Sequence, residues 1–306
     1  MEPDFSVYSL DEAMQEMDDL SWDFPRSLRI EEIGHSVKGY PIFCIILGRG
    51  RDHIQISGTH HAREWITTWL ILRMIREYAS ALEEKKALMG YDLSSLLTAF
   101  SLHFIPVVNP DGYLLATEGW EKAGLSYEAY RRMADVSGID DRYWLWKANL
   151  RGVDLNRQYD MNWERIRNSP NYPAAMNYKG REPYSEPEVE AMLRRTTEVL
   201  PLAVLAYHTA GEEIYWYHGQ SGKAKERDGI LAKELAKKLG YRLVGEEKEV
   251  AGGYADWFVD LYKRPGFTIE VGREPHPVDL TQGERIWEEN KEGPLYLLSQ
   301  WVNLSS

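Results

Sequence analysis

Apolar and polar positions along the chain follow two different periods, and the switches between them outline an α/β protein. Residues 28–33 and 40–47 read as two strands joined around Ser36-Val37-Lys38-Gly39, and residues 53–57 as a third that breaks at Gly58. Residues 65–79 carry the helical period instead, with Leu70, Met74 and Tyr78 on one face. Residues 102–108 read as a strand running into the turn Asn109-Pro110-Asp111-Gly112. From 118 to 184 periodicity is weak and Asn, Arg and Tyr are frequent, which predicts a long loop region of the kind that often carries function. Ser185-Glu186-Pro187-Glu188 has the form of a capping box opening a helix to about residue 199. A buried strand at 202–207, a helix at 223–239 stopped by Gly240 and a strand at 267–271 follow. Thr281 and Glu284 are placed to cap a C-terminal helical region interrupted at Gly293-Pro294.

Strands alternating with helices predict a single α/β domain, residues 1–306 with a core at about 28–302, in which helices cover both faces of a central mixed, mostly parallel sheet. No repeat, low-complexity tract or Pro/Gly/Ser-rich linker divides the chain. In such folds the working residues gather beyond the strand ends. Three strands here run directly into polar groups: the 53–57 strand into His61 and Glu64, the 202–207 strand into His208, and the 267–271 strand into Glu270.

Composition narrows the function classes. With 43% hydrophobic and 12% aromatic residues, the 306-residue chain can bury a sizeable core. A formal net charge of −12 argues against nucleic acid and anionic membrane surfaces as partners, and an acidic substrate would need a local basic pocket. The single cysteine, Cys44, sits in an apolar strand and excludes an internal disulfide. No apolar run reaches membrane-spanning length and no signal peptide follows the acidic start, so a soluble cytoplasmic protein is expected.

His61-Ala62-Arg63-Glu64 sets an imidazole and a carboxylate three residues apart at the mouth of a strand. One helical turn brings such a pair to a common side, close enough to share a metal. The same spacing also describes a surface histidine beside an exposed glutamate, so a third ligand is required. His208 is the best candidate because it ends an apolar strand. Two histidines and one carboxylate leave a position open for water, as in a catalytic zinc site. His60 adjoins His61 but points elsewhere whether the segment is extended or helical, and His35, His53, His103, His218 and His276 have no partner at ligand spacing and read as surface or core residues.

Gly58-Thr59-His60-His61-Ala62-Arg63-Glu64-Trp65 resembles the zinc site of the metallocarboxypeptidases related to carboxypeptidase A. So do Asn109-Pro110-Asp111-Gly112-Tyr113, Gly152-Val153-Asp154-Leu155-Asn156-Arg157, Ser185-Glu186-Pro187-Glu188 and Phe267-Thr268-Ile269-Glu270, in the family's order. The resemblance implies one Zn2+ per chain on His61, Glu64 and His208, Glu270 as the catalytic carboxylate, and Asp154 on the free ring nitrogen of His61. It further implies that Asn156 and Arg157 receive a substrate carboxylate. Two positions depart from the family. Nine residues before Asn156, where the family has the arginine that faces the oxyanion, stands Lys147, with Arg151 as a second cation that could substitute. Three residues before the Ala251-Gly252-Gly253 turn, the family's substrate-contacting tyrosine is replaced by Lys248.

Trp146-Lys147-Ala148-Asn149, His208-Thr209-Ala210-Gly211 and the block from Arg264 to Gly272 look like the bacterial γ-D-glutamyl-meso-diaminopimelate peptidases, without their peptidoglycan-binding repeats. That likeness implies a small peptide substrate, a soluble muropeptide, received by a basic pocket of Arg63, Lys147 and Arg157. Three other readings stay open: an ordinary carboxypeptidase, a zinc deacylase of the succinylglutamate desuccinylase or aspartoacylase kind, and a non-enzymatic ligand-binding module.

Overall fold

A hairpin begins the sheet. β1 (Leu28–His35) and β2 (Pro41–Gly48) pair antiparallel around the predicted turn, and β3 (Asp52–Ser57) follows after a short connection. These strands belong to a computed structural model that describes residues 5–246 and 252–305. Ahead of the hairpin lies α1 (Leu10–Asp23), which the periodicity reading did not find. Its start signal was nevertheless local: the Ser9 side chain accepts from the Glu12 N–H while the Glu12 carboxylate accepts from the Ser9 N–H.

After β3 come α2 (Ile66–Glu83), α3 (Leu93–Ala99), β4 (Phe100–Ile105) and α4 (Pro110–Glu118). The expected turn at 109–112 is the first turn of α4. Asn109 is its N-cap, accepting from the Gly112 N–H at 3.1 Å, and Pro110 occupies the first helical position, where a missing N–H costs nothing. The weakly periodic stretch from 118 holds a further helix, α5 (Tyr127–Ser137), capped by Ser126 and ended by Gly138 in the left-handed conformation. Irregular backbone with short 3₁₀ turns then leads to α6 (Pro187–Val199), β5 (Ala203–His208), β6 (Glu213–Tyr215) and α7 (Gly222–Leu239). β7 (Arg242–Leu243), α8 (Tyr254–Tyr262), β8 (Gly266–Glu270), α9 (Gly283–Asn290) and α10 (Gly293–Ser305) complete the described chain. Among the described residues no helix is long and apolar enough to cross a membrane.

The strands form one mixed sheet in the order β1-β2-β4-β3-β5-β8-β6-β7, whose inner four, β4, β3, β5 and β8, are mutually parallel. Alternation along each strand sends side chains to two separate cores. Ile45 and Leu47 of β2, Ile54 and Ile56 of β3 and Leu205 and Tyr207 of β5 join the core beneath α1, α2, α3, α7 and α9. Ile42, Cys44, Ile46, Val204 and Ala206 join the opposite core under α6 and α8. Covered on both faces, the central strands are buried along most of their length, apolar in β5 up to His208 but with Gln55, Ser57, Ser101 and His103 buried as polar groups in β3 and β4. Burial pushes the Cys44 thiol up to about 12, so it serves as a small apolar side chain.

The capping box expected at residues 185–188 does not form. Glu186 is the N-cap residue without a side-chain cap bond, and the Ser185 hydroxyl donates to Gln158 and Glu186. The Glu188 carboxylate turns inward, accepting from Val37 N–H at 3.3 Å and Asn149 Nδ2 at 3.2 Å. Burial, with the nearby Glu186 and Asp111 carboxylates, pushes Glu188 up to about 7. A carboxyl raised on folding contributes stability below its ordinary value of 4.5 that is lost as pH rises through 7. Glu188→Gln should therefore remove a pH-dependent loss of about 1.4 kcal/mol per pH unit across that window. Urea unfolding of both proteins between pH 4.5 and 8 measures this; parallel stability curves would contradict it.

Candidate active site

β3 ends at Ser57 beneath a crowded corner. At Gly58 a Cβ would come within 2.8 Å of Ile71 Cδ1 and 2.9 Å of Thr67 Oγ1, so only glycine lets α2 approach. Thr59 then adopts φ 48, a left-handed conformation unusual for a β-branched residue. Hydroxyls hold it there: its N–H donates to Thr67 Oγ1 at 2.8 Å, and its own Oγ1 lies 2.7 Å from that of Thr68. The turn delivers His61 and Glu64 side by side, with His61 Nδ1 2.9 Å from Glu64 Oε1. His208, the last residue of β5, brings its Nδ1 to 2.9 Å from Glu64 Oε2 and 3.1 Å from His61 Nδ1.

All three side chains are buried, and one ligand atom from each lies within 4.8 Å of the others. Asp154 Oδ1 lies 3.2 Å from His61 Nε2; a carboxylate only accepts, so that nitrogen carries the ring proton and Nδ1 presents a lone pair. Burial holds His208 below its ordinary value, hence neutral. Lone pairs of two neutral imidazoles and a carboxylate thus converge on one point, an arrangement a divalent cation relieves. Two nitrogens and one oxygen, with an open side, are a zinc donor set.

Asp154 is fully buried and carries more than the histidine. Its Oδ2 lies 2.9 Å from Lys147 Nζ and 3.4 Å from Arg157 Nε. Burial acts to raise it, but Lys147, His61 and Arg157 outweigh that and hold the carboxyl well below the usual range. Two cations against one anion leave net positive charge beside the histidines. The backbone locks this arrangement: Lys147 C=O accepts from the Ala62 N–H at 3.0 Å, and Asn109 Nδ2 donates to the carbonyls of both His60 and Ala148. Asn149 in turn accepts from the Arg151 and Val153 N–H groups, shaping the loop that carries Asp154.

Glu270 ends β8, and the strand register sets it directly beside His208. Burial and the Glu64 carboxylate push it well above the usual carboxylate range, while Lys147 and Arg63 pull it back. A carboxyl raised in this way is suited to accepting and returning a proton. Arg63 stays near this end of the site, its Nη1 donating to the Leu145 carbonyl at 3.4 Å.

A cleft of about 940 Å³ opens from His61 past Lys147, Asn156 and Arg157. Asn156 Oδ1 accepts from Tyr254 N–H at 3.0 Å, which leaves its amide nitrogen as the donor for a bound group. Arg151, expected beside the substrate, instead pairs with Glu186 at 3.4 Å, with its side chain half exposed and off the cleft lining. Lys248 lies outside the described residues. Glu164, Arg165, Arg167 and Asp256, which the sequence does not single out, also line the cleft. Arg165-Ile166-Arg167 is a local signal inside the long loop, whereas Asp256 reaches the cleft from α8 with no such signal. Of the remaining histidines, His53 contacts Ser101, His103 contacts Arg195, and His60 packs its ring 5.6 Å from that of His208. His218 pairs with Asp256 at 2.6 Å.

A family model described as zinc carboxypeptidase matches residues 13–293. The chain is 35% identical to the YqgT protein of Bacillus subtilis, over 84% of this chain and 68% of that protein. It is 34% identical to a Lysinibacillus sphaericus protein named gamma-D-glutamyl-L-diamino acid endopeptidase 1, over 84% of this chain but 64% of that one, so it spans about two thirds of these relatives. Its fold superposes on thrombin activatable fibrinolysis inhibitor with a TM-score of 0.79 at 21% identity, covering 97% of this chain and 75% of that one.

Two expectations follow from the geometry. His208→Ala should lose stoichiometric zinc, whereas Glu270→Gln should retain it; metal analysis of the purified variants decides, and zinc persisting in His208→Ala would refute the ligand set. Lys147→Ala should lower kcat with little change in KM, by about 2.7–4 kcal/mol if Lys147 acts as an oxyanion donor. Arg151→Ala should be nearly silent, and the reverse pattern would exchange their roles.

Proposed function

The chain belongs to the zinc carboxypeptidase family, and from that premise we propose that it hydrolyses a γ-D-glutamyl-diaminopimelate bond in small peptidoglycan-derived peptides, using one zinc ion on His61, Glu64 and His208. The family match sets aside the deacylase and non-enzymatic readings. The observation that carries the proposal is the Asp154-centred cluster, which joins a zinc donor set to two cations in an otherwise acidic chain.

Zinc held by His61, Glu64 and His208 would supply a Lewis acid, able to polarise a carbonyl and to lower the pKa of water to about 7. Glu270 takes one proton from the attacking water and delivers it to the leaving amine, as the new C–O bond forms and the C–N bond breaks. Lys147 offers a positive charge to the carbonyl oxygen as it becomes an oxyanion. Being a point charge rather than a fork, it neutralises without the bidentate geometry of arginine. Asp154 keeps the His61 ring in one tautomer throughout. Asn156 and Arg157 receive the carboxylate adjoining the scissile bond, a role suited to a guanidinium.

The Lysinibacillus relative's name supports the choice of bond. An ordinary carboxypeptidase would use the same Arg157 to receive any C-terminal carboxylate, and this remains the second reading. The two differ in substrate range, which mass spectrometry of products from L-Ala-γ-D-Glu-meso-diaminopimelate and from a panel of ordinary peptides would resolve. If Arg157 reads a carboxylate beside the scissile bond, a tripeptide ending in diaminopimelate should outrun the tetrapeptide bearing a further D-Ala, whose corresponding carboxylate has become an amide. A charge-assisted hydrogen bond of roughly 1.5–3 kcal/mol corresponds to about a ten- to hundred-fold preference in kcat/KM. Arg157→Ala should abolish most of it; equal rates with the unmutated enzyme would mean that Arg157 reads no terminus.

A further inference from the structure

Most arginines of this acidic chain are matched. Arg157 has Asp154, Arg151 has Glu186, Arg195 has Glu31 and Arg285 has Glu212. Arg165 and Arg167 differ: both are exposed, both line the active-site cleft, and neither has a carboxylate or hydrogen-bond partner for its guanidinium among the described residues. Glu164 and Asp256 line the same cleft.

The segment bearing these arginines is held in place. The 3₁₀ turn Trp163–Arg165 closes with Arg165 N–H on the Asn162 carbonyl at 2.8 Å. Trp163 Nε1 donates to the Lys179 carbonyl at 3.2 Å, and Lys179 Nζ donates to the Trp163 carbonyl at 3.0 Å while standing 4.1 Å from the indole centroid. Ile166 is buried between the two arginines. At Gly252, with φ +76, a Cβ would meet Ile166 Cδ1 at 2.8 Å and Arg157 Cα at 3.1 Å. The arginine-bearing turn therefore packs directly against the backbone of Arg157, which fixes the points from which the two side chains extend.

We propose that Arg165 and Arg167 bind a second substrate carboxylate, on the leaving-group side and beyond the one that Arg157 receives. The substrate class this selects is a peptide whose leaving residue is a diamino-dicarboxylic acid. Its proximal carboxylate meets Arg157, its distal carboxylate meets Arg165 and Arg167, and its distal ammonium is offered Glu164 and Asp256. A diamino acid with one carboxylate, such as lysine, fills the ammonium position and leaves both guanidiniums unanswered. This selection rests on the proposed hydrolysis of γ-D-glutamyl-diamino acid bonds.

The test measures kcat/KM for L-Ala-γ-D-Glu-meso-diaminopimelate and L-Ala-γ-D-Glu-L-Lys, which share the scissile bond and differ in the distal carboxylate. The unmutated enzyme should favour the first by roughly ten- to hundred-fold, the range of one charge-assisted hydrogen bond. The double variant Arg165→Gln/Arg167→Gln should bring the ratio close to one, and Arg165→Lys/Arg167→Lys should restore part of it. Free meso-diaminopimelate should compete better than free L-lysine with the unmutated enzyme and lose that advantage in the glutamine variant. Both arginines are exposed, so unchanged melting temperatures are expected. Equal rates on the two peptides with the unmutated enzyme, or a ratio untouched by the double variant, overturn the inference. So does a preference cancelled by amidating the D-glutamyl α-carboxylate, which would put the second carboxylate on the acyl side. Cleavage of ordinary C-terminal residues with neither muropeptide cleaved overturns the proposed function itself, and the inference with it.

Discussion

A single buried carboxylate organises this site. Asp154 has no solvent exposure, and an isolated charge in that position would be prohibitively costly. Three neighbours make it tolerable: the His61 ring N–H on one oxygen, and Lys147 with Arg157 on the other. Because each partner is held by the same anion, their positions are not independent. The His61 tautomer, the location of the Lys147 ammonium and the root of the Arg157 guanidinium are set together. Removing one member of such a cluster leaves the rest with an uncompensated buried charge.

The sheet supplies the frame on which that charge cluster can form. Three of the inner parallel strands, β3, β5 and β8, end at the same edge, and each hands over one part of the proposed chemistry: His61 with Glu64 just past β3, His208 at the end of β5, and Glu270 at the end of β8. Parallel pairing requires crossovers through helices, so groups adjacent in the site are far apart in the chain. The left-handed Thr59 is the local conformational cost of turning the chain sharply enough for His61 and Glu64 to face His208. Its hydroxyl contacts with Thr67 and Thr68 tie that turn to the first helix beyond it. The Ala62 N–H on the Lys147 carbonyl then couples the turn bearing His61 and Glu64 to the segment bearing Lys147.

The replacement of an arginine by Lys147 fits this frame. A lysine beside Asp154 gives up the two-pronged contact an arginine makes, but it keeps one ammonium at 2.9 Å from the anion and on the cleft wall. Arg151 cannot join it without abandoning Glu186, whose carboxylate also holds Asn149 at 2.7 Å. Cationic character in the cleft therefore comes from Lys147 and Arg157, which pair with Asp154, and from Arg165 and Arg167, while the chain as a whole stays acidic.

Periodicity and spacing by themselves determined the six longest strands to within a few residues, the helices at 66–83 and 222–239, and the pairing of His61 with Glu64. These are properties of a few consecutive residues, and side-chain alternation or one helical turn suffices to express them. The same local reading mistook Asn109-Pro110 for a turn, because an N-cap followed by proline uses the residues of a turn and only the continuing helix distinguishes them. It expected Ser185 and Glu188 to cap a helix, but the buried side chain of Asn149 claims Glu188 instead. Tertiary structure alone decided which cation stands beside Asp154, that Arg151 is spent on Glu186, and that Arg165 and Arg167 reach the cleft unpaired among the described residues. Charges choose partners by distance in space, and those distances exist only once sheet order and loop packing have brought residues scores of positions apart into contact.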